Sequence, residues 1–147
     1  MTATYVNWGE AIIKLTWQEA KKLPVFKLIT SVHGYCFYKG KLLLVNLNYR
    51  GRDIPGGHLE SVESPGKCLK REAMEEGYVE GDSKLMGHVI VDHSENLLWN
   101  ESSPYPWLGY QVYYRMNVKN MHDFEGKFES KERILIEPKT VTDYFKG

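Results

Sequence analysis

Three glutamates, Glu72, Glu75 and Glu76, fall within one short stretch of the chain. In a helix, at about 100° per residue, their side chains project within an arc of roughly 100°, so three carboxylates share one face. Such a face repels itself, and a divalent cation would remove the repulsion. Hard cations such as Mg²⁺ or Mn²⁺ prefer carboxylate and carbonyl oxygens, usually a few carboxylates completed by substrate phosphates. The plain alternative is a solvated acidic surface. Glu63 and Arg71 favour the metal reading, because Arg71 can reach both Glu63 and, at i,i+4 spacing, Glu75, and so hold the acids in place. The carbonyls of the Gly56-Gly57 turn would lie near the same end of the helix and could add an oxygen ligand.

The elements that must position these residues are legible around them. Val32 to Tyr38 and Leu42 to Leu47 are β-rich apolar runs separated by Lys39-Gly40-Lys41, a hairpin pattern. A polar loop, Asn48 to Asp53, leads to Ile54-Pro55-Gly56-Gly57, where the chain turns sharply. Ser64-Pro65 reads as an N-cap followed by proline at the first helical position, which predicts a helix from Pro65 to Glu76. Gly77 is placed to end it in the left-handed conformation. Leu85 to Asp92, Tyr110 to Val118 and Arg133 to Glu137 read as strands, and Thr140 to Phe145 as a short helix. Asn96 to Gly109 is a loop rich in aromatics and proline. Gly9 to Lys22 fits either a helix or a strand pair, and the pattern alone leaves it open.

With 147 residues and no internal repeat or linker, one domain is expected. No apolar run approaches the roughly 18 to 20 residues that span a bilayer, and no secretory signal precedes the first strand candidates. The two cysteines, Cys36 and Cys68, have no metal-type pairing and suit reduced thiols, so a cytoplasmic location is the expectation. Nineteen basic residues balance nineteen acidic ones, which leaves no global positive field for a long nucleic acid. A homodimer is compatible with everything in the sequence. The five histidines have no ligand spacing and read as ordinary. Cys68 falls on the acid face, where neighbouring carboxylates would raise its pKa. Arg50 and Arg52 flank the turn and could grip phosphates, while Trp99, Tyr105 and Trp107 could stack a flat group such as a base.

Taken together, Gly57, Glu63 and Arg71-Glu72-Ala73-Met74-Glu75-Glu76 resemble the Nudix box, G-x5-E-x7-R-E-U-x-E-E-x-G-U with U a bulky aliphatic residue. The Pro55-Gly56-Gly57 approach is similar to the segment that usually precedes it. Two positions depart from the pattern: Ala73 is smaller than the usual aliphatic, and Tyr78 stands where the final glycine is expected. The resemblance implies an α+β fold, an α/β/α sandwich with a mixed β-sheet. It also implies Mg²⁺- or Mn²⁺-dependent hydrolysis of a diphosphate linkage in a small nucleoside diphosphate derivative. Carried over, Glu72, Glu75, Glu76 and the Gly56 carbonyl would bind metal, braced by Glu63 and Arg71. The general base would come from the helix or from a later loop, with Glu129 ahead of Glu132 and Glu125. The competing readings are a non-hydrolytic module that binds or senses a nucleotide and, on the same fold, prenyl diphosphate isomerisation, for which no extra catalytic motif stands out.

Overall fold

A computed structural model describes residues 2–48, 51–60 and 62–143. Arg50 and the Tyr144-Phe145 end of the expected terminal helix lie outside the described residues. The segment that pattern left open is a strand pair: β1 (Thr2–Trp8) and β2 (Ala11–Glu19) reverse at Gly9, whose φ of 65° suits glycine. After a short 3₁₀ turn at Phe26–Leu28, β3 (Ile29–Tyr38) and β4 (Lys41–Leu47) form the expected hairpin. Its two turn residues, Lys39 and Gly40, both have positive φ (50° and 81°), the twist-matched geometry of a two-residue hairpin.

That hairpin is brief. Only Tyr38 with Lys41 and Phe37 with Leu42 pair before the strands part. β4 continues against β5 (Gly51–Asp53) and β9 (Ser130–Ile136), whereas β3 pairs with β6 (Gly56–Gly57) on one side. On its other side β3 runs parallel to β8 (Leu108–Met121), which is antiparallel to β7 (Val79–Asp92). The sheet order is β1-β2-β7-β8-β3-β4-β5, with β6 and β9 branching from β3 and β4. One parallel contact among antiparallel ones makes the sheet mixed, as expected.

Helix α1 (Pro65–Gly77) lies on one face of this sheet. It starts as the sequence predicts: the Ser64 side chain accepts from the Lys67 amide at 3.2 Å, and Pro65 occupies the first turn. Its apolar stripe of Cys68, Leu69 and Ala73 is buried with Val32, Cys36, Leu43, Val112 and Met116. The opposite face carries Leu42, Leu44, Ile54 and Ile136. There Val141 of a 3₁₀ turn, Pro138–Asp143, packs on them, in place of the short helix expected from Thr140. Among the described residues α1 is the sole α-helix.

The end of α1 corrects an expectation. Gly77 stays helical, and Tyr78 takes the left-handed conformation (φ 55°, ψ 41°), its N–H bonding back to Met74 O at 3.0 Å. The helix terminus is therefore not displaced; a tyrosine occupies the turn that a glycine would fill without strain. Gly77 is small for another reason: a Cβ there would lie 2.7 Å from Cδ2 of the buried Leu43. Tyr78 is held by its surroundings, being 3% exposed, with its ring edge-on to Phe124 at 5.1 Å and its hydroxyl accepting from the Lys127 amide at 2.9 Å.

The helix can approach β3 because Gly34 has no side chain beneath Leu69. A Cβ at Gly34 would collide with the Leu69 isobutyl group. Gly34→Ala is expected to lower unfolding stability by about 1 to 3 kcal/mol through overpacking, read as a lower urea midpoint with an unchanged slope.

Candidate active site

Burial sorts the three helix acids. Glu76 is 2% exposed, Glu72 is largely covered and Glu75 is the most open. Glu76 Oε1 accepts the Gly56 N–H at 2.9 Å, which ties the Pro-Gly-Gly turn to the helix. Gly57 must be glycine for the same closeness: a Cβ there would lie 2.7 Å from Glu72 Oε1. The two glycines thus form a cradle against which the carboxylates of successive helix turns rest.

Arg71 joins the rest. Its guanidinium grips Glu63 with both edges, Nε to Oε2 at 2.7 Å and Nη2 to Oε1 at 3.0 Å. Nη1 meanwhile donates to Glu72 Oε1 at 2.7 Å and Glu75 Oε2 at 3.4 Å, with Glu60 at 3.5 Å. Nη2 also donates to the His58 carbonyl at 3.3 Å. The bidentate hydrogen bonds hold the Glu63 carboxyl down at about 2, and the carboxylates push the Arg71 pKa up. Glu72 moves the other way. Burial raises its pKa, with the charges of Glu75 and Glu129 adding to the effect against the pull of Arg71. The Cys68 thiol is pushed up to about 12, chiefly by burial and then by Glu63, so it is unreactive as expected.

Two cavities meet at these acids. One, of about 450 Å³, is lined by Glu60, Glu72, Glu75, Glu76 and Glu129 together with Arg71, Asn48 and Phe128. The other, of about 670 Å³, shares Glu60, Arg71, Glu72 and Glu129 with it and extends to Trp8, His33, His93, Tyr105 and Gln111. The first is a nest of carboxylates. The second is a mixed aromatic and polar chamber opening from it.

The residues singled out from sequence divide accordingly. Glu72, Glu75, Glu76, Arg71, Gly56 and Glu129 are brought together, and Glu129 is the loop acid that reaches the site. Glu132 bonds to Asn46 Nδ2 at 3.1 Å and Glu125 pairs with Lys127, both away from the cavities. Arg52 lies 3.9 Å from Glu132 and lines neither cavity. Of the aromatic trio only Tyr105 lines the chamber; Trp99 and Trp107 face one another at 6.5 Å, with Trp99 Nε1 donating to the Tyr105 carbonyl at 3.0 Å. Sequence reasoning missed Trp8, His33, His93 and Gln111, whose convergence depends on the sheet order; the one local signal was a tryptophan beside Gly9.

The donor chemistry suits a hard cation, since five glutamate side chains line the smaller cavity and no sulfur or imidazole competes there. Among the described residues no group of three His, Cys, Asp or Glu already converges in a metal-holding arrangement. Arg71, within reach of Glu60, Glu72 and Glu75, supplies positive charge at that spot.

No protein-family model matches this chain, and no curated protein matches it. Solved structures do match. The Bacillus subtilis pyrophosphohydrolase BsRppH superposes with a TM-score of 0.70 at 21% identity, over 93% of this chain and 78% of that one. A Nudix hydrolase from Nitrosomonas europaea gives 0.59 at 20% identity, over 79% and 77%. This chain has the Nudix fold. The Nudix domain of Shewanella oneidensis NrtR, solved with ADP ribose, is also similar, with a TM-score of 0.60 at 15% identity over 79% of this chain and 77% of that one. Within the Nudix fold the acids of this chain occupy the one α-helix described, and its Tyr78 turn falls where the box pattern has glycine.

The depressed Glu63 pKa fixes a sign. A carboxyl ionised more readily in the folded state contributes stability above its ordinary value of 4.5, and loses that contribution as pH falls from there toward about 2. Glu63→Gln is expected to be less stable than wild type at pH 7 and to converge with it near pH 2, measured by urea unfolding across that range.

Proposed function

We propose that the chain is a Mg²⁺- or Mn²⁺-dependent pyrophosphohydrolase that cleaves a diphosphate linkage in a small nucleoside diphosphate derivative. The observation that carries this reading is the shared wall: Glu60, Arg71, Glu72 and Glu129 line both the carboxylate nest and the larger chamber. A phosphate chain at that wall would meet the acids while the rest of the molecule enters the chamber.

Glu72, Glu75 and Glu76, with the Gly56 carbonyl, would hold the cation, and Arg71 and Glu63 would keep them oriented. When bound, the metal supplies charge screening of the phosphates, polarisation of the P–O bond and a more acidic water. Water adds to phosphorus, the anhydride P–O bond breaks, and the leaving phosphate departs with its electron pair. The proton of the water passes to a carboxylate. Glu129 is the candidate base, because it lines both cavities and stands near enough for its charge to raise the Glu72 pKa. Glu72, whose carboxyl burial holds above its ordinary pKa and which also lines both cavities, is the second choice.

The BsRppH neighbour is a pyrophosphohydrolase, which supports the hydrolytic class, and the NrtR domain was solved with ADP ribose, which supports a nucleotide-sized ligand. The complete acid set favours hydrolysis over a purely binding module. A cytoplasmic location belongs to the same reading: Cys36 and Cys68 are buried free thiols, and no described helix is long and apolar enough to cross a membrane.

Cleavage of at least one of a panel of nucleoside triphosphates, dinucleoside polyphosphates, nucleotide sugars and ADP-ribose, read by chromatography of the nucleotide and phosphomonoester or pyrophosphate products, is expected with Mg²⁺ or Mn²⁺ and not with EDTA. Silence across the panel with metal present would replace hydrolysis by ligand sensing. Glu75→Gln or Glu76→Gln is expected to abolish turnover with the fold intact by circular dichroism. Arg71→Lys, which keeps the charge but loses the fork, should cost roughly 10- to 100-fold in kcat/KM.

A further inference from the structure

The wall of the chamber beyond the acids holds a buried donor that no described residue satisfies. His93, just past β7, is 4% exposed and lines the chamber, and its Nε2 has no hydrogen-bond partner among the described residues. The ring's tautomer follows from its neighbours. Asn96 Oδ1 accepts the Leu98 N–H at 3.0 Å, which orients the amide so that its NH₂ faces His93 Nδ1, also at 3.0 Å. An NH₂ can only donate, so Nδ1 accepts and the ring proton of the neutral imidazole sits on Nε2. Burial lowers the His93 pKa and favours that neutral form. A buried N–H without an acceptor is costly and rare, and on a side chain at the wall of a ligand-sized cavity an acceptor on the ligand would satisfy it.

Two aromatic side chains line the same chamber. Trp8, from the β1–β2 hairpin, and Tyr105, from the β7–β8 loop, are each 47% exposed. Trp8 lies 6.3 Å from the His93 ring, centroid to centroid, with the planes tilted by 60°. Unlike Trp99 and Trp107, which pack on each other, Trp8 and Tyr105 present ring surface to the chamber. Of a nucleotide's parts, the base alone is flat, uncharged and edged with acceptors in its own plane, and aromatic faces stack on it.

We propose that Trp8 and Tyr105 hold the nucleobase of the substrate by stacking while His93 Nε2–H donates to an acceptor on the edge of that base. This rests on the nucleoside diphosphate reading above and assigns the base to the chamber, with the phosphates toward Glu72. Its specificity determinants meet at one end of β7: β2 pairs along the half of that strand ending at Asp92, which places the Trp8 hairpin beyond Asp92, and the Tyr105 loop leaves from the same end.

Calorimetric titration of the whole chain with GMP, AMP, UMP and CMP, without metal, tests the subsite apart from hydrolysis. At least one of the four is expected to bind. Trp8→Ala and Tyr105→Ala should each weaken that binding by roughly 5- to 150-fold, the range of one lost stacking contact. His93→Phe, which keeps the ring and removes the donor, should weaken it about tenfold. Trp8→Phe, with a flat face retained, should bind within about threefold of wild type, which separates lost stacking from a damaged hairpin. Failure of all four nucleotides to bind, or Trp8→Ala binding as wild type does, would overturn the proposal. Nucleotide binding that depends on Trp8 in a protein that hydrolyses nothing would uphold the subsite and overturn only the hydrolase reading.

Discussion

One guanidinium holds the acid site together. Arg71 meets Glu63 along a bidentate edge and reaches Glu72, Glu75 and Glu60 from its other side, so that like charges lie close together without driving the helix out of the core. The balance is electrostatic and partly buried, where a salt bridge is worth little unless its remaining donors are also satisfied. Arg71 meets that condition with a further bond to the His58 carbonyl. The segment from His58 to Glu63 before the helix and the acidic face of the helix therefore share the Arg71 guanidinium.

Around that centre, glycine sets the distances. Gly57 admits the Glu72 carboxylate and Gly34 admits Leu69, so the helix packs against β3 and β6 more closely than side chains at those positions would permit. The Gly56 amide, meanwhile, closes on Glu76. These are constraints of space rather than of backbone angle, and they explain why a nearly invisible part of the sequence decides where the charged part sits.

What could be read from sequence is what local chemistry writes. The N-cap and proline at Ser64-Pro65, the tight turn at Lys39-Gly40 and the spacing from Gly57 to Glu76 each signal through neighbours a few residues away. Glu129 was legible only as one of several loop acids; its approach to Glu72 depends on β9 pairing with β4. Trp8 and His93 were not legible as partners, because β2 must first dock on β7 to bring them within one chamber. The end of α1 misled for a different reason. Glycine at 77 carries the usual signature of a left-handed stop, but its lack of a side chain answers to Leu43, and the strain passes to Tyr78, where ring packing outweighs it.

That tyrosine also has a mechanical role. Its hydroxyl receives the Lys127 amide and its carbonyl receives the His122 amide and the Arg133 guanidinium, while Ser130 Oγ bonds to the neighbouring Glu76 carbonyl at 2.6 Å. The span that carries Glu129 is thus riveted to the last turn of the acidic helix at several points. Helix and span form one jig: any displacement of α1 carries Glu129 with it, so the spacing between the two sets of carboxylates is inherited from the joint rather than tuned by the loop. A glycine at 78 would make the bend without strain and leave that joint without its aromatic pin.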